Sequence, residues 1–323
     1  MTPFHRGERE VQEKVGAREF SERLGRRMVR DHLGGDHKAF FAQLPFVLIG
    51  AIDVEGRPWA SILVGQAGFI SAHDAQSLRI ETRLIDGDPL QRVLSEGADV
   101  GLLGIEYHER TRVRVNGNIR QIDRESITIN VGHAFGNCPQ YIQSRSYELL
   151  PGVASIGEPR ATLPVERLDE RAGQIIANAD HFFIATHFSD NVGDESHGAD
   201  VSHRGGKPGF VRIEDERTLT FPDFRGNNFF NTLGNIAANP RAGVLFIDFE
   251  RGDLLYLTGA AEIIWDSEES RAFKGSQRLV KLTMDEGVLV EQAVPIRWRF
   301  EDYSRSLNRT GSWEEVDVEL GRQ

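Results

Sequence analysis

The sequence predicts a mainly β fold with some helix (α+β): two small antiparallel barrels in tandem behind an N-terminal helical segment. Three observations lead there. First, the chain repeats itself. The first half carries PFVLIGAIDVEGRPWAS from Pro45, ETRLIDGDPLQRVL from Glu81, ADVGLLGIE from Ala98 and RVRVNGNIRQID from Arg112. The second half carries HFFIATHF from His181, GGKPGFVRI from Gly205, LTFPDFRGNNFFNTL from Leu219, PRAGVLFIDFE from Pro240 and LLYLTGAAEIIWD from Leu254, in the same order. This pairing matches Gly56 with Gly206, Gly87 with Gly226 and Gly117 with Gly259. Repetition of this length means two copies of one fold unit. Second, each copy strings short branched or aromatic runs between glycine-marked turns, with a single helical stretch, as small barrels do. Third, 323 residues that are 39% hydrophobic and 27% charged suffice for two domains with their own cores.

The elements follow in order. Val11, Val15, Phe20, Leu24 and Met28 recur near helical spacing, which predicts a helix from Glu8 to Leu33, stopped by Gly34-Gly35. A second helix, His37 to Leu44, presents Phe40, Phe41 and Leu44. Strands are expected at Phe46–Ile52, Trp59–Val64, Leu78–Thr82, Val100–Ile105, Arg112–Ile122 and Ser126–Val131, with a short helix at Asp88–Glu96. In the second copy a helix from Arg167 to Ala179 leads into a strand, Phe182–His187. A polar, glycine-rich insertion, SDNVGDESHGADVSHRGG, reads as a long loop replacing the tight turn of the first copy. Strands follow at Gly209–Glu214, Leu219–Phe221, Gly243–Phe249, Leu254–Ile264, Leu279–Met284 and Gly287–Gln292. A phosphate-loop candidate and its helix are expected from Asp223 to Ala238, and a further helix near Glu268–Phe273. The divisions are 1–36 helical segment, 37–150 first barrel, 151–166 linker, 167–300 second barrel, and 301–323 a weakly ordered C-terminal tail.

Composition excludes several classes. A net charge of −11 argues against nucleic-acid and anionic-membrane partners. The apolar runs are too short to span a bilayer, and the charged N-terminus MTPFHRGEREVQEK is not a secretion signal. The one cysteine, Cys138, permits neither an intrachain disulfide nor a cysteine zinc cluster, and the ten histidines show no metal-ligand spacing. A cytoplasmic location is the simplest reading. No Ser-His-Asp grouping, paired carboxylates, Walker loop or Rossmann GxGxxG can be argued.

Four constellations remain. Arg225-Gly226-Asn227-Asn228 stands between a strand and a helix. Free N–H groups, a permissive glycine, two amides and a guanidinium there suit a phosphate, or else form an Asn-capped turn. The matching loop of the first copy, Asp86-Gly87-Asp88-Pro89, would repel an anion. Ser202 to Phe210 carries His203, Arg204 and Lys207 across a glycine-rich turn, either facing an anionic ligand or forming a solvated hairpin. Cys138, in FGNCPQYI from Phe135, is either a thiol at a helix start with a lowered pKa or a small buried apolar residue. Arg110, Arg112 and Arg114 alternate on one strand and share a face, turned to a ligand, to the other barrel, or into a salt-bridged surface.

The order strand, G-[RK]-P, strand, D-x-x-G-[ND], helix, G-x-L-x-[IV]-[DE], strand with N-G or T-G resembles the pyridoxamine 5′-phosphate oxidase-like split barrels that bind FMN. The resemblance spans roughly Phe40–Cys138 and Phe182–Trp298. FHRGE at Phe4, FGNCPQYIQSR at Phe135 and FPDFRGNNFFNTLGNI at Phe221 resemble a tandem subgroup. It implies paired barrels with FMN in the groove between them. Its phosphate would lie on Arg225, Asn227 and Asn228, and its ring along a second strand matched to Gly209, Phe210, Val211 and Arg212. It implies an FMN-dependent oxidoreductase taking a small-molecule substrate or electron donor, as a homodimer or an intrachain pseudo-dimer. The oxidase's substrate-binding Arg and His have no match, so vitamin B6 oxidation is not implied. The alternatives are a flavin- or haem-binding carrier or sensor without turnover, and a cofactor-free interaction module.

Overall fold

The computed structural model describes residues 2–151, 158–190 and 196–322. Parts of the expected linker (152–157) and of the expected insertion (191–195) lie outside the described residues.

The N-terminal segment is two helices rather than one, α1 (Arg6–Lys14) and α2 (Arg18–Met28). Gly16 between them takes φ +69°, a left-handed conformation that turns the chain, so the apolar periodicity continues across a break. The first helix starts on a capping box in which His5 and Glu8 satisfy each other's backbone N–H groups. Helix α3 (Gly35–Gln43) begins at one of the glycines expected to act as stops, and its Phe40 and Phe41 enter the core.

The first barrel holds β1 (Phe46–Ile52), β2 (Pro58–Val64), β3 (Ile70–Ser71), β4 (Ser77–Ile80), β5 (Asp99–Glu106), β6 (Thr111–Ile122) and β7 (Ile127–Asn137). Its curled antiparallel sheet runs β2-β1-β5-β6-β7-β4-β3. The expected helix at Asp88–Glu96 is one 3₁₀ turn, Pro89–Arg92, capped by Asp88. Next come β8 (Ser144–Leu149), β9 (Thr162–Val165) and α4 (Glu170–Asn178). The second barrel holds β10 (His181–Phe188), β11 (Gly198–Gly205), β12 (Arg212–Ile213), β13 (Thr218–Phe224), α5 (Asn231–Ala238), β14 (Arg241–Ile247), β15 (Leu254–Ile264), α6 (Glu268–Ala272) and β16 (Ser276–Val290). Its sheet runs β11-β10-β14-β15-β16-β13-β12, strand for strand the order of the first. The same irregularity recurs at Asn116/Gly117 and Thr258/Gly259, where added Cβ atoms would lie 1.9 and 2.0 Å from partner-strand carbonyl oxygens. The molecule is thus two split barrels.

Register corrects several expectations. Val64 pairs with Phe46 as Gly205 pairs with His181, so Gly206 is the counterpart of Gly65, not of Gly56. Phe69 and Phe210 fold back onto these two glycines at the same distances. The true match is therefore Gly65-Gln-Ala-Gly68-Phe69 with Gly206-Lys-Pro-Gly209-Phe210. The residues ahead of Gly206, read as a loop for their polarity, form β11. Its Ser202 and His203 are polar yet buried, because they face the other barrel rather than solvent. Only Arg212 and Ile213 of the expected strand Gly209–Glu214 are in a strand, and the two strands expected after Leu279 are one, β16. In the stretch read as a linker, β9 pairs with β16. The tail is ordered too. After β17 (Ile296–Asp302), which pairs with β8, come a 3₁₀ turn at Arg305–Arg309 and α7 (Trp313–Glu319). Trp313 and Val316 anchor it against Phe224 and Phe273.

The barrels meet without side chains between them in places. A Cβ on Gly243 would sit 2.0 Å from the Pro58 carbonyl, and one on Gly101 would sit 2.8 Å from the Asp200 Cα. Thr258 donates to the Pro58 carbonyl at 2.8 Å. One apolar cluster runs from Phe46, Leu48 and Leu102 through to Phe183, Leu245 and Tyr256, so the interface is continuous with the core of the first barrel. No helix among the described residues is long and apolar enough to cross a membrane.

Candidate functional site

A cleft of about 910 Å³, counted to its open mouth, lies between the barrels. The second barrel supplies one wall with Ser202 to Gly205 of β11, the end of β13, the loop from Gly226 and the first turn of α5; the first barrel supplies Arg112 and Arg114 of β6 and the segment Asn137–Tyr141. Helix α5 starts at Asn231 after Phe230, which has φ +62° and gives no side-chain cap. With no cap, the opening N–H groups and the positive end of the helix dipole are left to the cleft.

Three guanidinium groups converge there. Arg114 is 4% exposed, pairs with Asp200 at 2.7 Å, and donates to the Asn231 Oδ1 at 2.9 Å and to the Ser202 hydroxyl. Burial is the main influence pulling its pKa down, against the pull of Asp200. Arg112 donates to the carbonyls of Cys138 and Gln140 and to the Nδ1 of His203, 3.2 Å away. Burial, then the charge of Arg114, brings its pKa down to about 10. Arg204 pairs with Asp223 at 2.9 Å. Burial, followed by His181, Arg112 and Arg204, holds His203 well below the usual imidazole range, so its ring is neutral. Arginine can only donate, so the Nδ1 of His203 accepts and the proton sits on Nε2. Nε2 of His203, Nε of Arg112, Arg114 and Arg204, and Nδ2 of Asn137 are all buried with no hydrogen-bond partner among the described residues. Five buried donor groups without a partner among the described residues therefore belong to residues that line one cleft, which suits an anionic or carbonyl-rich ligand.

The equivalent position in the other half is closed. Arg114 faces Leu103 as Tyr256 faces Leu245, so Arg114 corresponds to Tyr256 and Arg112 to Leu254. On the second strands Ser61 corresponds to Ser202, placing Ile62 at His203 and Leu63 at Arg204. Leu254, Tyr256, Ile62 and Leu63 are fully buried. Asp88 reaches into this spot, close to the Ser61 hydroxyl and 3.4 Å from that of Tyr256. Burial raises its pKa to about 6. The expected contrast between the loops is present, but the strands decide it. Four apolar or aromatic side chains stand where the open cleft has two arginines, a histidine and a third arginine.

Of the residues singled out from sequence, Arg204, Phe210, Asn227 and Asn228 line the cleft. Asn227 donates to Asn137 at 3.3 Å and accepts from the backbone of Phe229. Asn228 is left-handed (φ +64°), and its carbonyl accepts from Ser21 of α2. Arg225 is exposed and lies outside the lining; its carbonyl accepts from Tyr141. Lys207 points its ammonium at the Thr310 carbonyl, 3.5 Å away. Gly209 is in a turn (φ +82°), and Val211 is in the core of the second barrel. Arg212 lies over Trp313 and pairs with Asp317. These residues follow the second strand of this barrel, which is β11. Of the arginine trio, Arg112 and Arg114 line the cleft, whereas Arg110 pairs with Asp302. Cys138 lies at the cleft ahead of a turn, not at a helix start. Asn231, Thr232, Tyr141 and Glu8 were not anticipated. The spacing of Arg112 to Gly117 equals that of Leu254 to Gly259, so the Arg-for-aromatic exchange was the available signal.

The family model of pyridoxamine 5′-phosphate oxidase matches residues 168–296. No curated protein matches the chain. Among solved structures, a candidate pyridoxamine 5′-phosphate oxidase from Lactobacillus delbrueckii is similar at 15% identity, over 39% of this chain and 97% of that one, with a TM-score of 0.30. HupZ from Group A Streptococcus is similar at 16% identity, over 39% and 95%, with a TM-score of 0.31. The motility inhibitor MotI of Bacillus subtilis aligns over 86% and 98% at 8% identity, with a TM-score of 0.21. The family model thus covers the second barrel, which is similar to pyridoxamine 5′-phosphate oxidase over residues 168–296, and the first barrel repeats the same split-barrel strand order.

Proposed function

We propose that the cleft binds one FMN per chain and that the protein is an FMN-dependent oxidoreductase of a small-molecule substrate, its two barrels acting as the pair that such barrels otherwise form between chains. The observation that carries this reading is the set of orphaned donors on Arg112, Arg114, Arg204, His203 and Asn137, set against the apolar filling of the equivalent position. The opening turn of α5, with Arg114, Asn231 and Asn227, would hold the phosphate. Arg112, Arg204 and His203 offer donors to the rest of the ligand, and Leu103, Phe224 and Phe230 an apolar lining. FMN, when bound, supplies hydride or electron transfer, and the chain supplies binding, orientation and charge. His203, neutral and held by Arg112, donates from Nε2 and does not take up a proton near neutral pH.

The test is the absorption spectrum of the purified protein, followed by titration with FMN. Flavin bands at a stoichiometry of one per chain, bleached by a nicotinamide donor, support the proposal. A Soret band, or a colourless protein that takes up no FMN, overturns it. Bound flavin that no donor bleaches leaves a carrier and removes the oxidoreductase.

A further inference from the structure

The N-terminal helices grip the cleft from behind. Gln12 donates to the Phe229 carbonyl at 3.0 Å, and Ser21 to that of Asn228 at 2.8 Å. Helices α1 and α5 touch through glycines: a Cβ on Gly7 would sit 2.2 Å from the Gly234 carbonyl, and one on Gly234 would sit 2.5 Å from the Glu8 side chain. Their separation and register are therefore set by backbone contact. At this crossing Glu8 is 3% exposed. One of its oxygens accepts from the His5 N–H at 2.9 Å, and the other accepts from the side-chain amide of Asn231. That fixes which way the amide points: with its nitrogen on Glu8, the Asn231 oxygen is left to Arg114. A hydrogen-bonded path thus runs from α1 through Asn231 to the central arginine of the cleft.

We infer that Glu8 is a positioning residue of the cleft: it sets Asn231 against Arg114, and it couples anion binding to proton uptake, so that anion affinity falls in alkaline solution. The inference rests on the reading that the cleft takes a phosphate-bearing ligand. The groups around Glu8 are Asn231 on α5, Arg114 on β6, Asp200 on β11, His5 on its own helix, and His133 and His197, which line the same small pocket. Burial, with a smaller push from Asp200, raises its pKa to about 8, against the hydrogen bonds of His5 and Asn231 and the charge of Arg114. A phosphate beside Asn231 adds negative potential in the same sense as Asp200, so the bound form holds the proton more tightly. By linkage, ionising Glu8 weakens the anion by the same factor.

The experiment is titration with FMN at about pH 7 and about pH 9, where a phosphate monoester is already ionised, for the full chain and for Glu8→Gln and Asn231→Ala. The wild-type Kd rises about five- to tenfold between the two, within the usual range of coupling between sites. Glu8→Gln, which cannot ionise, changes less than about twofold, and Asn231→Ala binds more weakly at both pH values. A Glu8→Gln profile parallel to that of the wild type overturns the inference, as does a wild-type Kd that does not move with pH; both leave the FMN site standing. No FMN uptake by the wild type at either pH overturns the reading of the cleft as well. If Glu8→Gln does not fold, Glu8→Ala decides: persistence of the pH step in a chain without that carboxyl overturns the coupling.

Discussion

Replacing Asp88 with asparagine tests whether the first of the two equivalent positions is a closed, non-binding spot. The carboxyl is enclosed, 3% exposed, and one oxygen caps the 3₁₀ turn by accepting from the Leu90 N–H at 2.8 Å. The other meets the Ser61 hydroxyl. Burial raises the folded-state pKa from 3.8 to about 6. Between those values the folded chain holds a proton that the unfolded chain has released. The contribution of this group is therefore complete in acid below the unfolded pKa, falls as the pH rises through about 6, and is flat beyond. Two pKa units correspond to about 3 kcal/mol. Asparagine accepts from Leu90 and donates to Ser61 without ever ionising, so Asp88→Asn is expected to exceed the wild type by up to about 3 kcal/mol at about pH 7 and to match it at about pH 4. Urea unfolding followed by tryptophan fluorescence across that range measures the gap. Parallel curves, or a variant weaker at every pH, would refute the reasoning. FMN stoichiometry should stay at one per chain, because Leu254, Tyr256, Ile62 and Leu63 still fill the space; a second equivalent appearing with Asp88→Asn would show that the carboxylate alone kept ligand out.

Other outcomes follow from the same geometry. Arg114→Met combined with Asp200→Asn, which removes both members of a buried pair and avoids stranding one charge, should lower FMN affinity at least about 100-fold as read by flavin fluorescence, given about 1.5–3 kcal/mol for each charged hydrogen bond. Arg225→Ala, at an exposed side chain outside the cleft lining, should cost less than about tenfold in the same assay. Gly243→Ala forces a Cβ to within 2.0 Å of the Pro58 carbonyl. It should lower the stability by about 1–3 kcal/mol or more in denaturant unfolding, as overpacking does. Trp313→Ala removes a buried ring that donates to the Phe210 carbonyl at 2.9 Å. It should cost about 3–5 kcal/mol and make the C-terminal helix an early site of proteolysis.

Much of this protein is legible in its residues because each signal is local. Runs rich in branched and aromatic residues gave strands such as Phe46–Ile52 and Leu254–Ile264 to the residue. Gly117 and Gly259 marked the same irregularity in both copies, and the repeat declared two barrels before any contact was known. Polarity misled only where a polar residue is buried by something distant in the chain. Ser202 and His203 read as loop because their partners, Arg114 and Arg112, lie about 90 positions away on the other barrel. The tail read as weakly ordered because Trp313 finds its apolar neighbours in the second barrel and not in its own segment.

Sequence alone therefore determined the fold class, the tandem repeat, and the fact that one copy differs from the other at a loop before a helix. It could not determine which side chains meet across the barrel interface. That interface is formed by backbone against backbone at Gly101 and Gly243, and it brings β6 of one barrel over the helix start of the other. Tertiary packing alone decided that Arg112 and Arg114 face the cleft while Arg110 and Arg225 do not, and that Glu8, more than 220 residues from Asn231, sets the direction of its amide. Local propensity is carried by neighbours along the chain, whereas the charge and hydrogen bonding of a site depend on distances that only packing sets.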